Sequence, residues 1–184
     1  MKTLHIPLAL IVALSVPTAI GAQRTERIRA TLTGYEEVPA VSTEGAGRFR
    51  GTIDHDEQSI DYELTFGNLQ GTVQQSHIHF AQKGVNGSVV IWLCQTTTTP
   101  APAAVAGLTP FCSQAGTVSG TITAANVIAA GTASQQITAG ELDEVIAAMR
   151  AGVAYVNVHS TPLTPGGEIR GQIRVLDDRR DDRD

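Results

Sequence analysis

The sequence predicts a mostly β fold, an antiparallel Greek-key (immunoglobulin-like) β-sandwich with one amphipathic helix at about 139–150. Three observations lead to this prediction. Apolar and polar residues alternate with a period of two in several short segments, which is typical of half-buried antiparallel strands. Breaks rich in Gly and Asn separate these segments. A single segment has helical spacing instead. A small β-barrel is the alternative architecture.

The first 22 residues have the layout of a secretory signal peptide. They combine a basic start at Lys2, an apolar run at 6–16 and small residues before Gln23. The run is shorter than the roughly 20 residues that span a bilayer, so no membrane span is expected after signal cleavage. We therefore expect a signal peptide at 1–22, one domain at 23–176, and a charged disordered tail, "DDRRDDRD", at 177–184.

The predicted strands follow one another along the domain. The segment "RIRATLTG" at 27–34 alternates apolar and charged or polar residues. The segment "AGRFRGTIDHDEQSIDYELTFGNL" alternates on both sides of a turn at Asp54–Gln58, which indicates a β-hairpin. Further strands are predicted at about 73–80, 88–94, 116–122, 153–159 and 168–176.

The helical segment is "TAGELDEVIAAMRAG", at 138–152. Thr138 and Glu141 have the spacing of a capping box. Apolar residues then recur at i, i+3, i+4 and i+7 from Leu142 onwards, so one stripe of the helix is apolar. This pattern predicts a helix of about three turns that packs against the sheet.

The chain has two cysteines, Cys94 and Cys112. An even pair in an exported protein predicts a disulfide, because oxidising compartments favour pairing over free thiols or thiolate ligands. The segment between the two cysteines is rich in Thr, Pro and Ala and is predicted to be a long loop. Closing it is expected to stabilise the fold by about 3 kcal/mol in the chain-entropy model.

Two histidines, His77 and His79, lie on the predicted strand 73–80 within "SHIHF". Residues two apart in a strand share a face, so both imidazoles point the same way, together with Val73. Ile78 points to the opposite face, towards the core.

The same parity places polar residues away from the core on two later strands. They are His159 in "VAYVNVHS" and Glu168 and Arg170 in "GGEIRGQIRV". If the three strands are neighbours, these side chains form one cluster with the histidine pair. Neutral imidazole is a good ligand for copper or zinc, so three histidines make a workable metal site. A hydrogen-bonded polar network and a proton-transfer role are the alternatives.

An ordered set of motifs resembles the CHRD domain, the module named after chordin. They are "ATLTGYEEVP", "SIDYELTFGNLQG", "SHIHFAQKGVNGSVVIWLC", "GTITAANV" and "GVAYVNVHSTPLTPGGEIRGQI", and they cover about residues 27–175. The family's "EVPP" reads "EVPA" here, with Ala40 in place of the second proline. The resemblance implies an exported, mostly β, immunoglobulin-like domain. The positions that match the family's distinctive polar residues are Glu37, His77, His79, His159, Glu168 and Arg170.

Two functions are compatible with these features. The resemblance favours a non-catalytic extracytoplasmic binding or structural module, secreted or periplasmic, whose ligand is an unknown extracytoplasmic protein or polysaccharide. The formal net charge of −5 makes nucleic acid a poor candidate partner. Nucleophile elbows, phosphate-binding loops and dinucleotide fingerprints are absent from the sequence, so an enzyme is not favoured.

The second function is a metal-binding protein with a site at His77, His79 and His159. The histidine strand, the later histidine and Arg170 are similar in pattern to copper–zinc superoxide dismutase, where they would take the copper-ligand and anion-steering positions. A bridging histidine and a zinc-binding loop are not found in the sequence, so a copper-only site with redox activity is the most that this likeness implies.

Overall fold

A computed structural model of the protein describes residues 25–162 and 164–176. Within these ranges the chain forms nine β-strands and one α-helix. The strands are β1 (Glu26–Thr33), β2 (Ala46–Ile53), β3 (Ser59–Gly67), β4 (Thr72–Phe80), β5 (Ser88–Cys94), β6 (Gly116–Thr123), β7 (Ala154–Thr161), β8 (Thr164–Gln172) and β9 (Arg174–Val175), and the helix is α1 (Leu142–Arg150). The signal peptide expected at 1–22 and the tail expected at 177–184 lie outside the described residues.

The nine strands belong to one antiparallel sheet with the order β5-β4-β7-β8-β1-β2-β3-β6, and β9 pairs with β1. The two ends of the sheet approach each other. The phenol of Tyr62 on β3, the neighbour of edge strand β6, donates a hydrogen bond to the carbonyl oxygen of Leu93 on edge strand β5, at 2.7 Å. A bridge between Ile91 and Val127 closes the same gap. The sheet is therefore nearly closed into a barrel, the alternative architecture, and the two-sheet Greek-key sandwich is not confirmed.

Every second side chain along these strands points inwards, and these side chains fill the interior of the barrel. On β1 the side chains of Ile28, Ala30 and Leu32 are buried, as predicted. The predicted hairpin joins β2 to β3, and the carboxylate of Asp54 accepts hydrogen bonds from two backbone N–H groups at the turn. The strand predicted at 168–176 begins earlier, at Thr164, and is divided into β8, which pairs with β7, and β9, which pairs with β1.

The helix begins later than the sequence predicts, at Leu142 and not at about 139. Gly140 has a φ of +90°, which interrupts helical geometry just before that point. Half of the predicted capping box is present, because the carboxylate of Glu141 accepts a hydrogen bond from the backbone N–H of Thr138, at 2.7 Å. The predicted apolar stripe is buried against the sheet. Among the described residues, no helix has the length and apolar character needed to cross a membrane.

One prediction about strand parity is wrong. Val73 does not share a face with His77 but belongs to the hydrophobic core together with Ile78. The reason is a register shift in the pairing of β4 with β7, between Val73 and Gln75. Such an irregularity adds one residue to a strand and reverses the parity of the residues that precede it.

The predicted disulfide is confirmed between Cys94 and Cys112. The loop that it closes is organised around the buried side chain of Gln95. The amide of Gln95 donates to the carbonyl oxygens of Ala106 and Thr109, at 2.8 and 2.6 Å. Its amide oxygen accepts from the backbone N–H of the loop's Ala101, at 2.9 Å. The disulfide and this amide together hold the loop at the end of β5.

Candidate functional site

The candidate site lies where β4 and β7 run side by side, on the face of the sheet opposite the hydrophobic core. In their register His77 lies opposite Asn157, and His79 lies opposite Tyr155. His159 is two residues beyond Asn157 on β7, so it projects from the same face. The expectation that these strands are neighbours is confirmed, and all three histidines meet.

The three imidazoles form a compact, buried group, which we call the trihistidine cluster (His77, His79 and His159). Ring centroids are 5.0 Å apart for His77 and His159, 5.4 Å for His77 and His79, and 6.3 Å for His79 and His159. One nitrogen atom of each ring lies within 4.8 Å of the others. The side chains are only 2%, 7% and 8% exposed, respectively for His77, His79 and His159. Three potential nitrogen ligands are thus brought together away from bulk water.

The environment of His77 is suited to a metal ligand. Its ring packs edge-on against Trp92 of β5, with 4.3 Å between centroids. Neither ring nitrogen has a hydrogen-bond partner among the described residues. Burial, reinforced by His159 and His79, holds the pKa of His77 well below its ordinary value. The ring is therefore neutral at neutral pH, and its buried nitrogens carry an uncompensated desolvation cost of about 1–3 kcal/mol.

His79 is oriented by its two neighbours. Its Nδ1 lies 2.9 Å from the carbonyl oxygen of Gly87, to which it donates a hydrogen bond. Its ring stacks on Tyr155 with 4.6 Å between centroids. A backbone carbonyl on one ring nitrogen is the usual way in which a metal-binding histidine is held with the other nitrogen free to coordinate.

The second ring nitrogen of His79 faces an amide oxygen. Burial lowers the pKa of His79 to about 4, so at neutral pH the ring has one proton, and the carbonyl of Gly87 engages it. Nε2 then presents a lone pair to Oδ1 of Asn157, which lies 3.0 Å away. Two lone pairs at this distance repel each other, and a cation placed between or beside them removes the repulsion.

Glu37 is linked to the cluster through the same amide. The side chain of Asn157 faces its carboxyl group, which is buried and whose Oε1 has no hydrogen-bond partner among the described residues. Burial raises the pKa of Glu37 to about 7, although Arg170, the backbone of Val38 and Asn157 all act to lower it. The neighbouring Gly167 has a φ of +128°, and a Cβ atom there would overlap the carboxyl of Glu37. Only glycine fits that position.

Arg170 fastens a loop over the site. Its guanidinium carbon lies 3.3 Å above the centroid of the Tyr155 ring, and its nitrogens donate to Oδ1 of Asn86 and to the carbonyl oxygen of Val85, at 3.2 and 2.8 Å. Asn86 in turn donates to the carbonyl oxygen of Val38, at 3.0 Å. Arg170 is 2% exposed. The guanidinium thus connects β8 to the loop that carries Val85 and Asn86. Through Asn86 it is also connected to the segment that carries Val38.

Glu168 belongs to a different network. Its carboxylate accepts hydrogen bonds from the hydroxyl groups of Thr43, at 2.6 Å, and Ser160, and from the backbone N–H groups of Gln70 and Gly71, at 2.7 and 3.4 Å. Burial acts to raise the pKa of Glu168, but these hydrogen bonds lower it overall. The single cluster expected from the sequence is therefore divided, since Glu168 fixes the turn before β4 while Arg170 and Glu37 lie beside the histidines.

The comparison with protein families agrees with the motifs described above. The family model of the CHRD domain matches residues 28–173, from β1 to the residue before β9. The chain belongs to the CHRD family. Neither the curated proteins nor the solved structures include a significant match to it. In this CHRD chain the matched range contains the whole trihistidine cluster and the residues that surround it.

Some residues of the site in this CHRD chain were not predicted from the sequence. Asn157 and Tyr155 share a strand face with His159, which was a signal that they belong to the site. Trp92 and Gly87 gave no such signal. The contact of Trp92 with the cluster depends on a shifted register between β4 and β5, and the contribution of Gly87 is a backbone carbonyl, which any residue type supplies.

Proposed function

We propose that this CHRD chain is a non-catalytic extracytoplasmic binding module that holds a transition-metal ion, copper or zinc, at the trihistidine cluster. The observation that carries the proposal is the state of His77, a buried imidazole with two nitrogens that lack hydrogen-bond partners among the described residues. Two further imidazoles supply nitrogens within 4.8 Å. A bound ion gives the lone pair of the neutral His77 ring a partner.

The spacing of the nitrogens is compatible with coordination after a small adjustment. Metal–nitrogen bonds of 2.0–2.1 Å in tetrahedral geometry separate ligand nitrogens by roughly 3.4 Å. The largest separation in the cluster is 4.8 Å, so the farthest pair of nitrogens needs to approach by roughly 1.4 Å. The ring of His77 can rotate without breaking a hydrogen bond among the described residues.

The donor set favours copper or zinc over calcium or magnesium. Imidazole nitrogens suit copper and zinc, whereas the alkaline-earth ions require oxygen ligands. The lowered pKa values of His77 and His79 keep both rings in the neutral form that coordinates a metal. Oδ1 of Asn157 lies 3.0 Å from Nε2 of His79, which supports it as a fourth, oxygen donor.

The burial of the trihistidine cluster favours a role in holding a metal ion over a catalytic role. A catalytic metal keeps one coordination position open to substrate, whereas the three histidines are almost fully covered. In the superoxide-dismutase-like alternative, Arg170 would attract an anion. Its guanidinium is instead buried against Tyr155 and bonded to the loop that carries Asn86. This arrangement favours a structural role for Arg170.

The extracytoplasmic location rests on two findings. The Cys94–Cys112 disulfide is typical of an oxidising compartment, and the CHRD family is the one to which extracellular chordin gives its name. A signal peptide at 1–22 is part of the same proposal. It is tested by sequencing the N-terminus of the protein recovered from outside the cytoplasm, where a start near residue 23 is expected.

The metal proposal is tested by calorimetric titration of metal-free mature protein with Cu(II) and Zn(II). We expect one ion per chain for at least one metal, with binding abolished in a His77→Ala/His79→Ala variant. A His55→Ala variant is the matched control, because His55 lies exposed at the hairpin turn and pairs with Asp56. The proposal is wrong if the wild-type protein binds neither metal, or if His55→Ala loses as much affinity as the double variant.

A further inference from the structure

The trihistidine cluster offers a metal ion neutral ligands only. Among the described residues, no carboxylate or thiolate belongs to the group of side chains that lies close enough to share an ion. Imidazole coordinates a metal in its neutral form. The adjacent Oδ1 of Asn157, 3.0 Å from Nε2 of His79, belongs to an uncharged amide. A bound ion therefore keeps its full positive charge at this site.

The surroundings of the cluster contain little water. Its three side chains are between 2% and 8% exposed. Trp92 packs against the ring of His77, and Tyr155 stacks on the ring of His79. Transfer of an ion from water into such surroundings costs free energy that rises with the square of the ion's charge. A divalent ion is therefore penalised far more than a monovalent ion.

The charged groups beside the cluster do not remove this penalty. The guanidinium of Arg170 lies 3.3 Å from the centroid of the Tyr155 ring, and the same ring stacks on His79. The carboxyl of Glu37 also interacts with Arg170, which opposes its negative charge. The two groups together thus give a cation no net attraction. When Glu37 is protonated, Arg170 repels a divalent ion twice as strongly as a monovalent one.

We propose that the trihistidine cluster selects monovalent copper, Cu(I), over Cu(II) and Zn(II). This inference rests on the proposed function and specifies the ion that the site holds. Imidazole is a good ligand for both copper and zinc, so the donor atoms alone do not distinguish these ions, whereas their charge does. Cu(I) has a filled d shell and accepts three ligands, so the three imidazoles satisfy it without a bound water or anion. The ion is taken up and held as Cu(I), and no electron transfer is involved.

The test compares the affinities of the mature protein for Cu(I), Cu(II), Zn(II) and Ag(I). Each affinity is measured without oxygen at pH 7, by competition with a chelator of known strength for that ion. Ag(I) is a second monovalent probe, because it has the same charge and a filled d shell. Trp92 is the only tryptophan of the chain and contacts His77, so its fluorescence reports occupancy. We expect Cu(I) to bind at least about tenfold more tightly than Cu(II) or Zn(II), and Ag(I) to bind more tightly than Zn(II).

A variant with an anionic group beside the cluster tests the physical reason. Asn157→Asp replaces the amide next to His79 with a carboxylate, which attracts a divalent ion more strongly than a monovalent one. We expect the preference for Cu(I) over Zn(II) to fall by about tenfold in this variant. Asn126→Asp is the matched control, because Asn126 is also buried and its Oδ1 accepts hydrogen bonds from the backbone N–H and the hydroxyl of Thr123, which a carboxylate also accepts. The control is expected to keep the wild-type preference, and circular dichroism checks the fold of both variants.

The outcomes separate this inference from the function on which it rests. If the wild-type protein binds none of the four ions, the proposed function itself is wrong. If Cu(II) or Zn(II) binds as tightly as Cu(I), or Ag(I) binds more weakly than Zn(II), the site holds a metal but the selection of Cu(I) is overturned. An equal change of preference in the two aspartate variants would also overturn it, because the preference would then depend on the net charge of the chain and not on the cluster. The wild-type affinities decide the matter even if Asn157→Asp does not fold.

Discussion

The amide oxygen of Asn157 lies 3.0 Å from Nε2 of His79, and the same amide group faces the carboxyl of Glu37. One buried side chain thus connects a candidate metal ligand to a carboxyl group whose pKa is raised to about 7. Groups that contact a ligand in this way orient it and adjust its basicity, and their loss typically costs 10–100-fold in metal affinity.

We therefore predict that Asn157→Leu weakens metal binding by about 10–100-fold. The substitution keeps the volume of the side chain and removes both of its polar contacts. Affinity is measured by competition with a chelator of known strength.

The matched control for Asn157→Leu is Asn126→Leu. Asn126 is also buried, but it lies just beyond the end of β6. Its amide oxygen accepts a hydrogen bond from the backbone N–H of Thr123, at 2.9 Å. We expect the control to lose stability and to keep its metal affinity. Equal losses of affinity in the two variants would show that Asn157 acts only through the stability of the fold.

The second prediction concerns the orphaned nitrogens of His77. Replacing His77 with Leu removes two buried polar atoms that lack hydrogen-bond partners among the described residues. The metal-free variant is expected to be as stable as the wild type or more stable by about 1 kcal/mol, while metal binding is lost. Urea unfolding of metal-free protein and calorimetric titration provide the two measurements.

A purely structural role for His77 predicts the opposite result. If the contact of its ring with Trp92 were the reason for the histidine, His77→Leu would lower the free energy of unfolding by more than 1 kcal/mol and leave metal binding unchanged. The exposed His55→Leu variant controls for general effects of removing an imidazole.

The third prediction is a pH dependence caused by Glu37. Burial raises its folded-state pKa from 4.5 to about 7, so the folded protein holds more protons than the unfolded chain between those values. The contribution of Glu37 to stability is thus fully present below pH 4.5 and is lost as pH rises through 7. In Glu37→Gln the side chain stays neutral, so this loss does not occur.

We expect metal-free Glu37→Gln to gain roughly 2–3 kcal/mol of stability relative to wild type between pH 4.5 and pH 8. The free energy of unfolding is measured by urea titration at both pH values. His79, with a pKa of about 4, titrates in both proteins, and its effect cancels in the difference. A constant difference across this range, or the same gain in the exposed Glu63→Gln control, would contradict the prediction.

The sequence predicted the trihistidine cluster because the periodicity of a strand is local. Two residues on β4 and one on β7 have the parity of the non-core face, and a shared face follows from spacing alone. The strands themselves were predictable for the same reason. The wrong assignment of Val73 shows where this reasoning stops, because the register shift on β4 depends on pairing with a distant strand.

The architecture and the separation of the polar groups depend on long-range contacts. The closure of the sheet rests on the approach of β5 to the β3–β6 end, including the hydrogen bond from Tyr62 on β3 to Leu93 on β5. Period-two patterning is the same in a sandwich and in a barrel. The parity of Glu168 and Arg170 is identical. Glu168 contacts Gln70 in the turn before β4, whereas Arg170 contacts Val85 in the loop before β5, and no sequence pattern indicates these partners.

The last prediction separates these two networks. The carboxylate of Glu168 accepts four hydrogen bonds, including those from Thr43 and Gln70. In Glu168→Gln the amide nitrogen replaces one acceptor oxygen and faces donors, so we expect a loss of about 2–4 kcal/mol in stability at pH 7. Because these hydrogen bonds lower the pKa of Glu168, its stabilising effect is present above the unfolded-state pKa. It is lost as pH falls below that value, so the stabilities of the variant and the wild type converge in acid.

Metal affinity is expected to stay within twofold, because Glu168 holds the turn at Gln70 and not the histidines. The measurements are urea unfolding at pH 7 and pH 3 and metal titration at pH 7. Thr43→Val, which removes one of the four hydrogen bonds, should show a smaller loss of the same kind. A large fall in metal affinity with little change in stability would place Glu168 in the metal site and contradict the division into two networks.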